Sequence, residues 1–118
     1  MKDRNAILEK SMDLAIRIVK LYKFLREEKQ EFVISKQLLR SGTSIGANVR
    51  EAVYGQSKGD FVSKMSISLK EASETEYWLE LLYKTDYLTK EEYKSISDDC
   101  GETAKLLTAI VKSSRNNC

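Results

Sequence analysis

Apolar residues recur along this chain at alternating steps of four and three, the spacing of one face of an α-helix. Over residues 5–28, Ile7, Ser11, Leu14, Ile18, Leu21 and Leu25 keep that rhythm, and Leu8, Met12, Ala15, Val19 and Tyr22 keep it beside them. Two adjacent stripes make a wide apolar face that suits a bundle helix with neighbours on two sides. The pattern lapses across Glu27-Glu28-Lys29-Gln30, which is the expected turn. Further helices are predicted over 31–54, 58–84 and 89–113. The third carries the seam Phe61, Met65, Ser68, Ala72, Thr75, Leu79 and Leu82, with Ile67, Glu71, Glu74, Trp78 and Leu81 next to it. The fourth carries Tyr93, Ile96, Cys100, Thr103, Leu107 and Ile110, and the tail from 113 to 118 is polar and expected to be loose. Ser57 with Asp60 resembles a cap for the third helix, and Thr89 with Glu92 forms a capping box for the fourth. Four helices with short links and no strand signal predict an all-α, up-down-up-down four-helix bundle in a single domain, residues 1–118.

The stretch QLLRSGTSIGANVRE at 37–51 has the composition of a loop, since glycine costs about 1 kcal/mol against alanine inside a helix. Its spacing says helix. Leu38, Gly42, Ile45, Val49 and Ala52 fall on one face, and Gln37, Ser41, Ser44, Asn48 and Glu51 repeat the same steps on the face beside it. A small-residue seam and a polar seam therefore run side by side, the first letting a neighbouring helix approach closely at Gly42, Gly46 and Ala47.

Composition reinforces the helical reading and narrows the chemistry. There is no proline in the 118 residues and only five glycines, so nothing forces a break. Histidine is absent, which removes the commonest general base and the commonest transition-metal ligand. Of the two cysteines, Cys100 lies on an apolar stripe and Cys118 is the last residue; two thiols without histidine make no metal spacing, no structural disulfide is expected, and no cofactor is implied. The N-terminal residues carry acids where a signal peptide needs an apolar core, and no apolar run is long enough to cross a bilayer, so a cytoplasmic location without membrane contact is expected. Net charge is +2, but residues 1–58 hold 12 Lys/Arg against 7 Asp/Glu, and residues 59–118 hold 8 against 11. Basic helices beside acidic ones account for this, and a basic surface for nucleic acid is the sharper alternative.

If the second and third helices are antiparallel about a hinge near Ser57, Ser44 falls near Glu71, Ser41 near Glu74, and Asn48 near Ser66, Ile67 and Lys70. The expectation is an interhelical polar seam of Ser41, Ser44, Asn48, Glu51, Glu71 and Glu74 that sets register. Glu-x-x-Glu on one face resembles carboxylate-rich di-iron bundles, but those use Glu-x-x-His motifs. No catalytic residue and no metal ligand is assigned. Arg40, Arg50, Lys58 and Lys64 are candidate nucleic-acid contacts, with solvated surface cations as the plainer reading. Trp78 and the tyrosines Tyr22, Tyr54, Tyr77, Tyr83, Tyr87 and Tyr93 could stack on bases, but helical spacing puts most of them on or beside core seams, so packing is the expectation.

These residues carry a resemblance. QLLRSGTSIGANVREA followed by SLKEASETEYWLELL resembles the bacterial four-helix bundle protein family whose first described members are encoded in intervening sequences of the large-subunit ribosomal RNA gene. EKSMDLAIRIVKLY fits its first helix, and Glu74 the glutamate of its third. Ser41, Ser44, Ile45, Asn48 and Glu51 match its Ser-x-x-Ser-Ile-x-x-Asn-x-x-Glu pattern. The resemblance covers nearly the whole chain and implies a left-handed bundle assembled into a homopentameric ring. The chain is also distantly similar to the accessory subunits of diversity-generating retroelements, basic pentameric barrels that bind nucleic acid and a reverse transcriptase, and departs from them in its mild charge.

The apolar width of the first and third helices agrees with self-association. The function expected is that of a non-enzymatic, homo-oligomeric binding module that touches RNA, DNA or a nucleoprotein partner. The alternative is an assembly adaptor that binds another protein and no nucleic acid.

Overall fold

The computed structural model describes residues 2–116. Its helices are α1 (Lys2–Glu27), α2 (Ile34–Val53), α3 (Lys58–Lys84) and α4 (Lys90–Asn116), and no strand occurs among the described residues. Each helix packs on the next and α1 closes against α4, giving a rod of 46 × 21 × 19 Å. The α1–α4 contact is the least extensive of the four.

The predicted stripes form the core. Ile7, Leu14, Ile18 and Leu25 of α1 meet Leu38, Ile45 and Val49 of α2, Met65, Ala72, Leu79 and Leu82 of α3, and Ile96, Cys100, Leu107 and Ile110 of α4 in one buried cluster. Placing each of these large aliphatic side chains out of water contributes about 1.5–3 kcal/mol. The second stripe of α1 is only partly covered: Met12 remains exposed, and so does Ile16, which lies off both stripes.

Helix ends differ from expectation where polar side chains intervene. Residues 31–33 lie outside α2, because the buried Glu31 carboxylate accepts hydrogen bonds from the amides of Val33 (3.2 Å), Ile34 (2.9 Å) and Ser35 (2.6 Å). Ser35 Oγ donates back to the Glu31 carbonyl at 2.9 Å. Glu31 thus occupies the helix start as an anion at the positive end of the dipole. Burial pushes its carboxyl up, yet the amides of Ile34, Ser35 and Val33 outweigh burial and hold it below its ordinary value. The Ser57 cap forms, Oγ accepting from the Asp60 amide at 3.0 Å, and so does the Thr89–Glu92 box, at 3.1 and 2.8 Å.

α3 ends in a Schellman turn with Asp86 in the left-handed region (φ 69°), where the amide of Tyr87 reaches the carbonyl of Leu82 and that of Asp86 the carbonyl of Tyr83. α4 continues to Asn116, beyond the expected end at 113, since neither proline nor glycine stops it. Arg115 there reaches Ser66 Oγ at 3.4 Å. Cys118 lies outside the described residues.

The tyrosines divide. Tyr83 and Tyr93 stack at 4.6 Å between ring centres and join α3 to α4, whereas Tyr54 and Tyr77 stand exposed, contrary to the packing expected of them. Both lie off the buried seams, one at the end of α2 and one on the outer side of α3.

Candidate functional site

The α2–α3 face gathers most of the polar residues singled out in the sequence. Its buried layer is made of hydroxyls. Ser68 Oγ donates to the Ile45 carbonyl at 2.8 Å, and the Ser41 and Thr75 hydroxyls hydrogen-bond each other at 2.9 Å. Thr75 Oγ1 also reaches the carbonyl of Glu71 at 2.8 Å. Small β-carbon groups allow these bonds to cross the interface without opening it, and among the described residues no buried side-chain polar atom lacks a partner.

Outside that layer the carboxylates answer to Arg40 rather than to serine. The Arg40 guanidinium spans Glu71, at 3.3 Å, and Glu74, to which Trp78 Nε1 also donates at 3.0 Å. The bond from Trp78, then that from Arg40, holds the Glu74 carboxyl below its ordinary value; Glu74 in turn raises Arg40. Ser44 Oγ donates to the Arg40 carbonyl at 2.6 Å and Asn48 Nδ2 to the Ser44 carbonyl at 2.8 Å, so both return to their own helix instead of crossing to Glu71 or Lys70. A residue one turn back on the same helix is a nearer acceptor than a neighbouring carboxylate already claimed by arginine. Glu51 is drawn to Lys64 at 3.0 Å.

The four candidate nucleic-acid contacts are split, with Arg50 and Lys64 in one cleft and Arg40 apart from them. Arg40 is committed to Glu71 and Glu74, and Lys64 to Glu51. Arg50 is exposed and shares a cleft of about 460 Å³ with Glu51, Tyr54, Asp60 and Lys64. Lys58 opens α3. Ten helical residues separate Arg40 from Arg50, about 15 Å of axis. The spacing Glu-x-x-Glu held the signal for the arginine clamp: two carboxylates one turn apart offer a single guanidinium two partners, and the hinge near Ser57 brings residue 40 to that level.

On its other side α2 meets α1 through glycine. A β-carbon on Gly42 would stand 2.7 Å and 2.8 Å from the two γ-carbons of Ile18, so only glycine fits without displacement. Gly46 lies over the Ser11 carbonyl with more room, 3.4 Å from where its β-carbon would be. Beside this contact runs a shallow apolar groove of about 290 Å³ floored by Leu8, Met12, Ala15, Gly46 and Ala47.

Two further features have no signature in the sequence. The first is Glu31, whose carboxylate caps amides two to four residues further on but matches no Ser/Thr-x-x-Glu signature. The second is the corner where α1 turns into α2, in which the Arg26 guanidinium lies 5.5 Å from the Tyr22 ring centre and 5.2 Å from that of Phe32. Among the described residues no group of three His, Cys, Asp or Glu is arranged to hold a metal ion. Burial, then the charges of Glu76 and Asp99, pushes the Cys100 thiol up to about 12, so it stays protonated and inert at neutral pH.

A family description, 23S rRNA-intervening sequence protein, matches residues 3–109. The chain belongs to this family. A crystal structure of a protein of unknown function from the S23 ribosomal protein family of Bacteroides thetaiotaomicron is 61% identical, with a TM-score of 0.92, over 95% of this chain and 99% of that one. No curated protein matches. The resemblance read from residues 37–52 and 68–82 is thereby established at the level of family and fold. No described helix is long and apolar enough to cross a membrane.

Proposed function

We propose that this 23S rRNA-intervening sequence family member is a non-enzymatic, cytoplasmic, homo-oligomeric helical bundle, closing as a pentameric ring, that binds RNA or a nucleoprotein partner. The observation that carries the assembly is the apolar surface left uncovered on two separate faces: Met12 and Ile16 on α1, and Ile67 and Tyr77 on α3. Two different patches favour head-to-tail contacts, which generate a ring when the rotation closes. The basic balance of residues 1–58 and the ribosomal RNA gene setting in the family's description support a nucleic-acid ligand. Against catalysis stand the absence of histidine and the engagement of Glu71 and Glu74 by Arg40, with Glu74 shifted away from proton transfer at neutral pH.

Native mass spectrometry is expected to give a homo-oligomer, and Ile16→Glu to dissociate it; a wild-type monomer at micromolar concentration overturns the assembly. Retention of RNA that weakens steeply with salt is expected of the intact oligomer, because each phosphate contact releases counterions. No retention at low salt overturns the nucleic-acid reading.

A protein adaptor is the second reading. It is favoured by a groove of about 600 Å³ between α1 and α4, floored by Leu21, Phe24, Leu88 and Ile96 and rimmed by Arg17, Lys20, Glu91 and Glu92. Such a groove suits the apolar face of a helix. One protein retained in a pull-down after nuclease treatment would select this reading.

A further inference from the structure

The corner between α1 and α2 combines three features found together nowhere else among the described residues. First, it exposes apolar side chains on a connection: Phe32 is 44% and Val33 73% exposed. Secondly, it sets cations on aromatic rings. Arg26 bridges Tyr22 and Phe32, and Lys29 Nζ lies 5.8 Å from the centre of Phe24. Lys23 stands one turn before Arg26 on α1 and Lys36 in the first turn of α2, both exposed. Among the described residues no carboxylate forms an ion pair with Lys23, Arg26, Lys29 or Lys36, in contrast to Arg17, Arg40, Lys64, Lys84 and Lys94.

Thirdly, the corner is held rigid. The buried Glu31 carboxylate gathers three amides of residues 33–35, the Glu31 amide reaches the Leu25 carbonyl at 2.9 Å, and Gln30 takes a left-handed conformation (φ 56°) to make the turn. A left-handed non-glycine residue is strained and persists where its surroundings enforce it. Glu31 faces inward, which leaves Glu27 and Glu28 as the acids on the surface of this turn. The turn therefore presents Phe32 and Val33 outward on a fixed backbone, at the rim of a ring of cations.

We propose that this α1–α2 corner is a stacking platform for single-stranded nucleic acid. Bases stack on Phe32 and on the guanidinium plane of Arg26, and Lys23, Lys29 and Lys36 meet the phosphates. Aromatic rings beside unpaired cations are the combination that single strands use, since every base offers a π-face while a duplex hides its faces in the stack. An acidic protein segment would satisfy the cations but does not require an exposed ring among them, whereas every nucleotide supplies both a phosphate and a π-face. The inference rests on the nucleic-acid reading and assigns it a place distinct from Arg40, Arg50, Lys58 and Lys64.

The test is fluorescence anisotropy of the full-length protein with a labelled mixed-sequence single-stranded RNA and with its duplex, across a salt series. The single strand is expected to bind more tightly. Phe32→Ala is expected to weaken it about tenfold or more, and Phe32→Trp to retain it. Arg26→Gln and Lys36→Gln should each weaken binding, and Lys36→Gln, which removes a phosphate contact, should also lower the salt slope by about one. Lys105→Gln, on the exposed side of α4, should leave binding unchanged. Phe32 is half exposed, so circular dichroism is expected to show each variant folded. Wild-type binding that Phe32→Ala and Arg26→Gln leave intact overturns the platform while the nucleic-acid reading stands. No binding by an intact wild-type oligomer at low salt overturns both. Equal retention of polyglutamate, lost in the same variants, would make the corner an acidic-protein dock and overturn the assignment to bases.

Discussion

Against α1, helix α2 presents Gly42 and Gly46, and the backbones approach until Ile18 fills the place a side chain would take. Against α3 the same helix presents Ser41 and the Ile45 carbonyl to the hydroxyls of Thr75 and Ser68, with the Arg40–Glu71–Glu74 clamp outside. One contact is specified by shape and the other by hydrogen bonds. The difference teaches how a segment with loop-like composition holds a helix in place: each small residue serves a particular neighbour. Glycine gives up helix propensity to let α1 in, and serine satisfies its hydroxyl where α3 supplies a partner.

The steric contact should be the more sensitive. Gly42→Val is expected to destabilise by about 3 kcal/mol, because the γ-carbons of Ile18 stem from a branched, buried side chain that cannot step aside. Thermal unfolding at fixed protein concentration checks it; an unchanged Tm would mean that α1 can retreat from α2 without loss.

The connection on that same side comes next. Glu31→Ala removes the acceptor of three amides and should cost about 2 kcal/mol. Its pH signature has a definite sign. The folded Glu31 carboxyl titrates below its ordinary 4.5, so the unfolded chain takes up the proton first as pH falls. The stabilisation is complete above about 4.5 and is lost as pH drops through the folded value. Urea midpoints between pH 6 and pH 3 should therefore fall less steeply for Glu31→Ala than for the wild type, and parallel curves would remove Glu31 from the acid response.

The hydrogen-bonded side should respond more mildly, in two separable steps. Ser68→Ala deletes one buried bond, worth about 1 kcal/mol, and leaves the Ile45 carbonyl with its helical partner. Arg40→Ala removes a half-exposed ion pair and should cost about 0.2–1 kcal/mol, shrinking as salt is added. A salt-insensitive loss on Arg40→Ala would show that its stem packs on Trp78 and that charge is secondary.

Much of this was legible in the residues. The heptad stripes located all four helices, the third at its observed bounds, because a periodic apolar face is a local property that survives any choice of neighbour. Caps at Ser57 and Thr89 were legible for the same reason, since donor and acceptor lie three residues apart. Glu31 was not legible in this way, because a carboxylate beside a turn is ordinary until three amides are folded onto it. Arg40 was read as a surface cation, and Ser44 and Asn48 as partners of Glu71 and Lys70, because helical spacing says which residues share a face and not which of several nearby acceptors is taken. Tyr54 and Tyr77 show the same limit from the other side, aromatic residues placed near a seam whose outward orientation only the packed bundle displays.

The sequence by itself determined the helical class, the order of the helices, the stripes that form the core and the family. Period and pattern act within one helix, where geometry is set by the chain alone. Only the tertiary structure decided that Gly42 receives Ile18, that Arg40 rather than serine holds Glu71 and Glu74, and that Phe32 and Val33 stand outside between cations. Each of these depends on the angle and depth at which two helices meet, and a difference of one ångström there exchanges one partner for another.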